Sequence, residues 1–76
     1  MVYVIEAFYR DNELLAFEEE LPTGNVQEIK RIMAWTAEQQ GWEGYDLTNE
    51  QLEALENLLG KKIDDPAYLF QLNCNA

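Results

Sequence analysis

The sequence predicts a single α+β domain of element order β-β-α-α-β, a three-stranded antiparallel sheet with two helices packed on one face. Three observations lead there. Strand-forming β-branched and aromatic residues cluster over residues 2–9, 13–21 and 68–72. Two other stretches repeat apolar residues with the 3.6-residue period of a helix. The chain has 76 residues and so room for one small core, because a domain this size buries only about 60% of the surface its unfolded chain exposes. Each helix carries one apolar stripe, and two such stripes are covered most economically by the same face of a sheet.

The first strand, 2–9, runs into Arg10-Asp11-Asn12, residues that favour a turn, and the second strand follows over 13–21. With position 10 facing 13, Phe8 lies opposite Leu15, Ala7 opposite Ala16, and Arg10 beside Glu13 in a weak cross-strand ion pair. A three-residue loop also closes this hairpin and shifts the register by one. Leu21-Pro22-Thr23-Gly24 breaks the strand. Asn25 is the N-cap of the first helix, with Glu28 at its third position; Val26, Ile29, Ile32, Met33 and Thr36 share one side, and Gly41 ends the helix. Trp42-Glu43-Gly44-Tyr45-Asp46 reads as a structured loop. Thr48 caps the second helix, Gln51 closes a capping box, and Leu47 with Leu52 has the spacing of a hydrophobic staple. Leu52, Leu55, Leu58 and Leu59 form its apolar face, Gly60 stops it, and Lys61 and Lys62 complement its C-terminal dipole. Asp64-Asp65-Pro66 is a second break before the last strand, 68–72. The expected core is Ile5, Ile29, Ile32, Met33, Leu52, Leu55, Leu59 and Phe70.

Charge narrows the function. The chain has 15 Asp and Glu against 5 Lys and Arg, no His, and a formal net charge of −10. Two Trp, four Tyr and three Phe supply a packed core despite that charge, which argues against disorder. Direct nucleic-acid binding is disfavoured, since it requires cations to neutralise phosphates. With no His and one Cys, neither a Cys/His metal site nor a thiolate–imidazole pair can be assembled. No enzyme activity, metal or cofactor is expected. Met1-Val2-Tyr3-Val4-Ile5-Glu6 lacks a basic leader, nothing approaches the roughly 20 apolar residues of a spanning helix, and Cys74 has no second cysteine for a disulfide. The expectation is a cytoplasmic protein with no membrane contact, and Cys74 an inert packed thiol.

The acids are unevenly placed. Between Ile32 and Gly60 there is no Lys or Arg, but there are Glu38, Glu43, Asp46, Glu50, Glu53 and Glu56. Such a stretch is either a solvated face that keeps a small domain soluble or a docking surface for a basic partner, where unbalanced charge speeds association. Helix geometry turns Glu50, Glu53 and Asn57 outward, with Glu56 on the flank. Trp35 lies off the stripe of Ile29, Ile32 and Met33, so it packs under the 42–46 loop or stands exposed, as do Trp42 and Tyr45. Aromatics among acids are the material of interface hot spots. The candidate partner-binding set is therefore Trp35, Glu38, Trp42, Glu43, Tyr45, Asp46, Glu50 and Glu53. In Glu18-Glu19-Glu20, alternation puts Glu18 and Glu20 on one face and Glu19 on the other, a pattern that protects an edge strand by charge.

The run Val4-Ile5-Glu6-Ala7-Phe8, the Leu21-Pro22 break, Ile32-Met33-Ala34-Trp35, Gly44-Tyr45-Asp46-Leu47, Leu59-Gly60 and Tyr68-Leu69-Phe70-Gln71-Leu72, in that order, resembles small bacterial domains encoded beside polymorphic toxins, the immunity proteins of contact-dependent growth inhibition and bacteriocin systems. The resemblance spans nearly the whole chain, mostly at core and turn positions. It implies a cytoplasmic antitoxin, monomeric alone and heterodimeric with its target, that binds and neutralises one cognate toxin domain, often a basic nuclease. No binding residue carries over, because immunity surfaces diverge with their toxins. The alternative reading is an acidic regulatory adaptor, or a nucleic-acid mimic that inhibits a DNA- or RNA-binding protein. A small enzyme or small-molecule binder is the third class, opposed by the missing His and the small core.

Overall fold

The structure, a computed structural model, describes residues 2–34 and 43–75, the side chains of Glu43 and Asn75 excepted. Its elements are β1 (Val2–Tyr9), β2 (Leu15–Glu20), α1 (Val26–Met33), β3 (Glu43–Asp46), α2 (Asn49–Leu59) and β4 (Tyr68–Asn75). They form an α+β domain with an antiparallel sheet, as expected, but the sheet has four strands in the order β2-β1-β4-β3. The last strand is central and pairs with β1 along its whole length, from Val2 opposite Asn75 to Tyr9 opposite Tyr68.

Several local expectations are corrected. The hairpin keeps Phe8 opposite Leu15, but Ala7 faces Phe17 rather than Ala16, because β2 carries a bulge there. The connection between the strands, residues 10–14, is closed by the Tyr9 amide on the Leu14 carbonyl at 2.9 Å, with Glu13 in the left-handed region at φ 59. Arg10 reaches away from Glu13, and its Nε donates to the Pro66 carbonyl at 2.7 Å. The first helix is short. It ends at Met33, with Ala34 left-handed and its amide shared by the Arg31 and Lys30 carbonyls. Lys30 and Arg31 fill the last turn, where cations meet the negative end of the helix dipole. Asn25 precedes that helix without a side-chain cap and donates instead to the Pro22 carbonyl.

The segment read as a loop contains β3. Tyr45 is its one good strand former; Gly44 and the flanking acids disfavour a strand. It forms because β4 offers an open edge and Tyr45, opposite Leu72, packs against the core. The capping signals of α2 hold: Gln51 donates its amide to Thr48 Oγ1 at 3.1 Å, Thr48 returns its amide to Gln51 Oε1 at 3.0 Å, and Gly60 closes the helix at φ 79; the last turn itself holds no Lys or Arg, and Lys61 pairs with Glu19 instead.

Tyr3, Ile5 and Ala7 of β1 and Phe70, Leu72 and Cys74 of β4 point to one side of the sheet, where Ile29, Met33, Leu52 and Leu55 of the helices complete the core. Ile5, Ile29, Met33, Leu52, Leu55 and Phe70 are buried as expected; Ile32 and Leu59 are half-buried against them. The other side of the sheet has no helix on it among the described residues.

Candidate docking site on the uncovered sheet face

Strand register sorts the uncovered face into three rows that cross the strands. The first is apolar: Leu15, Phe8 and Leu69 lie side by side on β2, β1 and β4. The second is acidic and polar: Glu18, Glu6, Gln71 and Asp46 cross all four strands. The third is Glu20, Val4, Asn73 and Gly44. In the second row Gln71 Nε2 donates to Asp46 Oδ1 at 3.0 Å. A methyl group on Gly44 would stand 3.3 Å from Gln71 Oε1, so the glycine gives that amide room to lie across β3.

No strand carries a Lys or Arg. The cations sit elsewhere: Arg10 on the Pro66 carbonyl, Arg31 on Glu28, and Lys61 on Glu19 at 2.6 Å. Glu19 is the carboxylate that alternation sends to the helix side, and Lys61 meets it there. Glu6 and Glu18 are left facing each other, and like charges directly opposite destabilise a sheet. Burial, and then the nearby Glu18, push the Glu6 carboxyl above its ordinary 4.5, against a hydrogen bond from Asn73 that works the other way.

The sign of the consequence follows from linkage. A carboxyl held more protonated in the folded chain than in the unfolded one lowers stability as pH rises from about 4.5 through its folded value, and the loss persists at neutral pH. Glu6→Gln is therefore expected to raise Tm at neutral pH, with the gain vanishing near pH 4. Thermal melts by circular dichroism at the two pH values check this, with Glu53→Gln as the exposed control; equal gains for both variants would refute the assignment.

Over residues 2–73, which take in every helix and nearly all of the sheet, the chain matches a protein family described as Domain of unknown function (DUF7683). The chain belongs to that family. No curated protein and no solved structure matches it.

The candidate residues chosen from the sequence do not share one surface in this member of DUF7683. Trp35, Glu38 and Trp42 lie outside the described residues, as does the Glu43 side chain. Tyr45 is half-buried on the helix side of β3, whereas the adjacent Asp46 is exposed on the opposite face. Glu50 and Glu53 are exposed on α2, as expected. Glu56 is not on an exposed flank: it is 6% exposed, and its Oε2 accepts the amides of Ile63 at 2.6 Å and Asp64 at 2.8 Å. The residues sequence reasoning overlooked are Glu6, Phe8, Leu69 and Gln71, which only strand order brings together.

Two depressions border this region. One, of ≈ 500 Å³, runs from the start of α2 to the turn before β4 and is edged by Asp46, Asp64 and Asp65. Among the described residues no three such side chains are gathered to hold a metal ion. The other, of ≈ 250 Å³, lies on the uncovered face between Phe8, Leu69, Gln71 and Glu13. Among the described residues no helix is long and apolar enough to cross a membrane.

Proposed function

We propose that this chain is an immunity protein, an antitoxin that binds a cognate toxin domain in the cytoplasm and neutralises it. The observation that carries the reading is the distribution of charge. A chain of net charge −10 keeps its few cations off all four strands and places Glu6, Glu18 and Asp46 on a sheet face that no helix covers among the described residues. A toxin nuclease needs a basic cleft for its polyanionic substrate, and an acidic inhibitor either fills that cleft or docks beside it. The inhibitor is a monomer alone and a heterodimer with its target, and it uses no cofactor.

The test starts from the reading frame immediately upstream: a large secreted protein with a variable C-terminal domain is the expected neighbour, and that domain is then co-expressed with this chain. Co-purification of the pair and restored growth of cells expressing the toxin domain are the expected results. A phage operon at that locus, with a DNA-binding protein co-purifying, would transfer the chain to the nucleic-acid-mimic reading. Association with a basic toxin domain is expected to be fast at low salt and to slow steeply once the screening length falls to about 8 Å near physiological ionic strength. Stopped-flow measurements across a salt series read this directly; an association rate insensitive to salt would remove charge from the explanation.

A further inference from the structure

We propose that the partner docks on the uncovered sheet face and seats an Arg or Lys side chain in the depression between Phe8 and Leu69, with its charge against Glu13. This inference rests on the reading of a basic partner and adds where that partner binds and through what group. Among the described residues the helices cover one face of the sheet only, and on the other Leu15 is 46% and Leu69 40% accessible, on either side of the half-buried Phe8. Exposed apolar side chains grouped together and rimmed by polar ones mark interaction surfaces.

The chemistry of the rim selects the occupant. The depression has a volume of ≈ 250 Å³ and is lined by two apolar residues, Phe8 and Leu69, with Gln71 and the acid Glu13. That is the complement of a long basic side chain, whose methylenes lie on apolar surface while the charged head seeks a carboxylate. Beside the depression runs the Glu18–Glu6 pair, two carboxylates with no cation on any strand to relieve them. A second copy of this chain is the wrong occupant. A two-fold contact sets the same patch against itself, which here brings carboxylates against carboxylates.

The probe is a capped peptide of alternating Arg and Phe, six residues long, titrated into the isotopically labelled full chain and followed by NMR. The largest shifts are expected at Phe8, Glu13, Leu69 and Gln71. Leu69→Thr and Glu13→Gln, both on exposed positions away from the core, should each weaken the peptide by about tenfold, the first by losing apolar contact with the methylenes and the second by losing a charge-assisted contact. The double variant Glu50→Gln, Glu53→Gln removes more charge and should change the affinity less. Shifts centred on α2, with the double variant dominant, would overturn the sheet face while leaving a basic partner in place. Shifts spread evenly over all acids, or no saturation, would overturn both. Light scattering is expected to show a monomer, and a dimer dispersed by Leu69→Thr would make the occupant a second copy and refute the proposal.

Discussion

Leu55→Ala is expected to lower the unfolding free energy by about 2–5 kcal/mol. Leu55 is 0% exposed, on the core side of α2, in one cluster with Ile5 and Leu72 of the sheet and Ile29 of α1. Truncating it loses the transfer free energy of the removed methyl groups. It also leaves a cavity between two helices and a sheet, which can close only if an element moves. A chain of this length has a total stability of roughly 4–11 kcal/mol, so the loss brings the variant near the edge of folding. Each kcal/mol lowers Tm by about 4–8 °C in a domain this small. Urea melts by circular dichroism measure it, with Leu58→Ala as a half-buried comparison whose cost should be smaller. A near-silent Leu55→Ala melt would mean that α2 does not pack through this face.

The parts of the fold legible in the sequence are those decided within a few residues. Thr48 and Gln51 specify the start of α2 by bonding each other's backbone amides, and Gly60 ends it because it accepts a left-handed conformation. The hairpin partner of Phe8 is legible for the same reason. Its next pair is not, because the bulge at Ala16 goes with a loop in which Glu13 turns left-handed and Asn12 Oδ1 accepts the Leu14 amide at 2.9 Å. The end of α1 had a sign in Lys30 and Arg31, a basic last turn that apolar periodicity through Thr36 outweighed. The strand β3 had almost none. Its own residues disfavour a strand, and it exists because the edge of β4 supplies partners across a sequence gap that no local pattern reports.

The site divides along the same line. Alternation alone parts Glu19 from Glu18 and Glu20, and the structure has Glu19 on the helix side against Lys61. The row Glu18, Glu6, Gln71 and Asp46 needs β1 between β2 and β4, a fact of strand order. The acidic stretch from 38 to 56 is contiguous only in sequence. Strand pleating sends Tyr45 and Asp46 to opposite faces, and helix rotation sends Glu56 inward while Glu50 and Glu53 point out.

Glu56→Ala is expected to cost about 2–4 kcal/mol, an effect that no surface acid should match. Position 56 is four residues after Leu52 and three before Leu59, so it belongs to the apolar face of α2 by spacing. Its carboxylate turns that placement to use. One oxygen accepts the amides of both Ile63 and Asp64, holding the segment that leads from α2 into β4, while Lys61 of the same segment is held by Glu19. Removing the acceptor leaves two part-buried amides without partners, and each unsatisfied group costs about 1–3 kcal/mol unless water reaches it. Glu56→Gln separates charge from geometry. Its amide oxygen can take the same place and accept both amides, but a neutral acceptor is roughly half as strong as a carboxylate, so this variant should lose about 1 kcal/mol. The order Ala worse than Gln is the signature, and hydrogen exchange locates it, since the Ile63 and Asp64 amides should lose protection before the rest of the sheet does. Equal and small losses for both variants, with those two amides unchanged in exchange, would show that Glu56 behaves as any solvated acid and that the segment after α2 is held by other contacts.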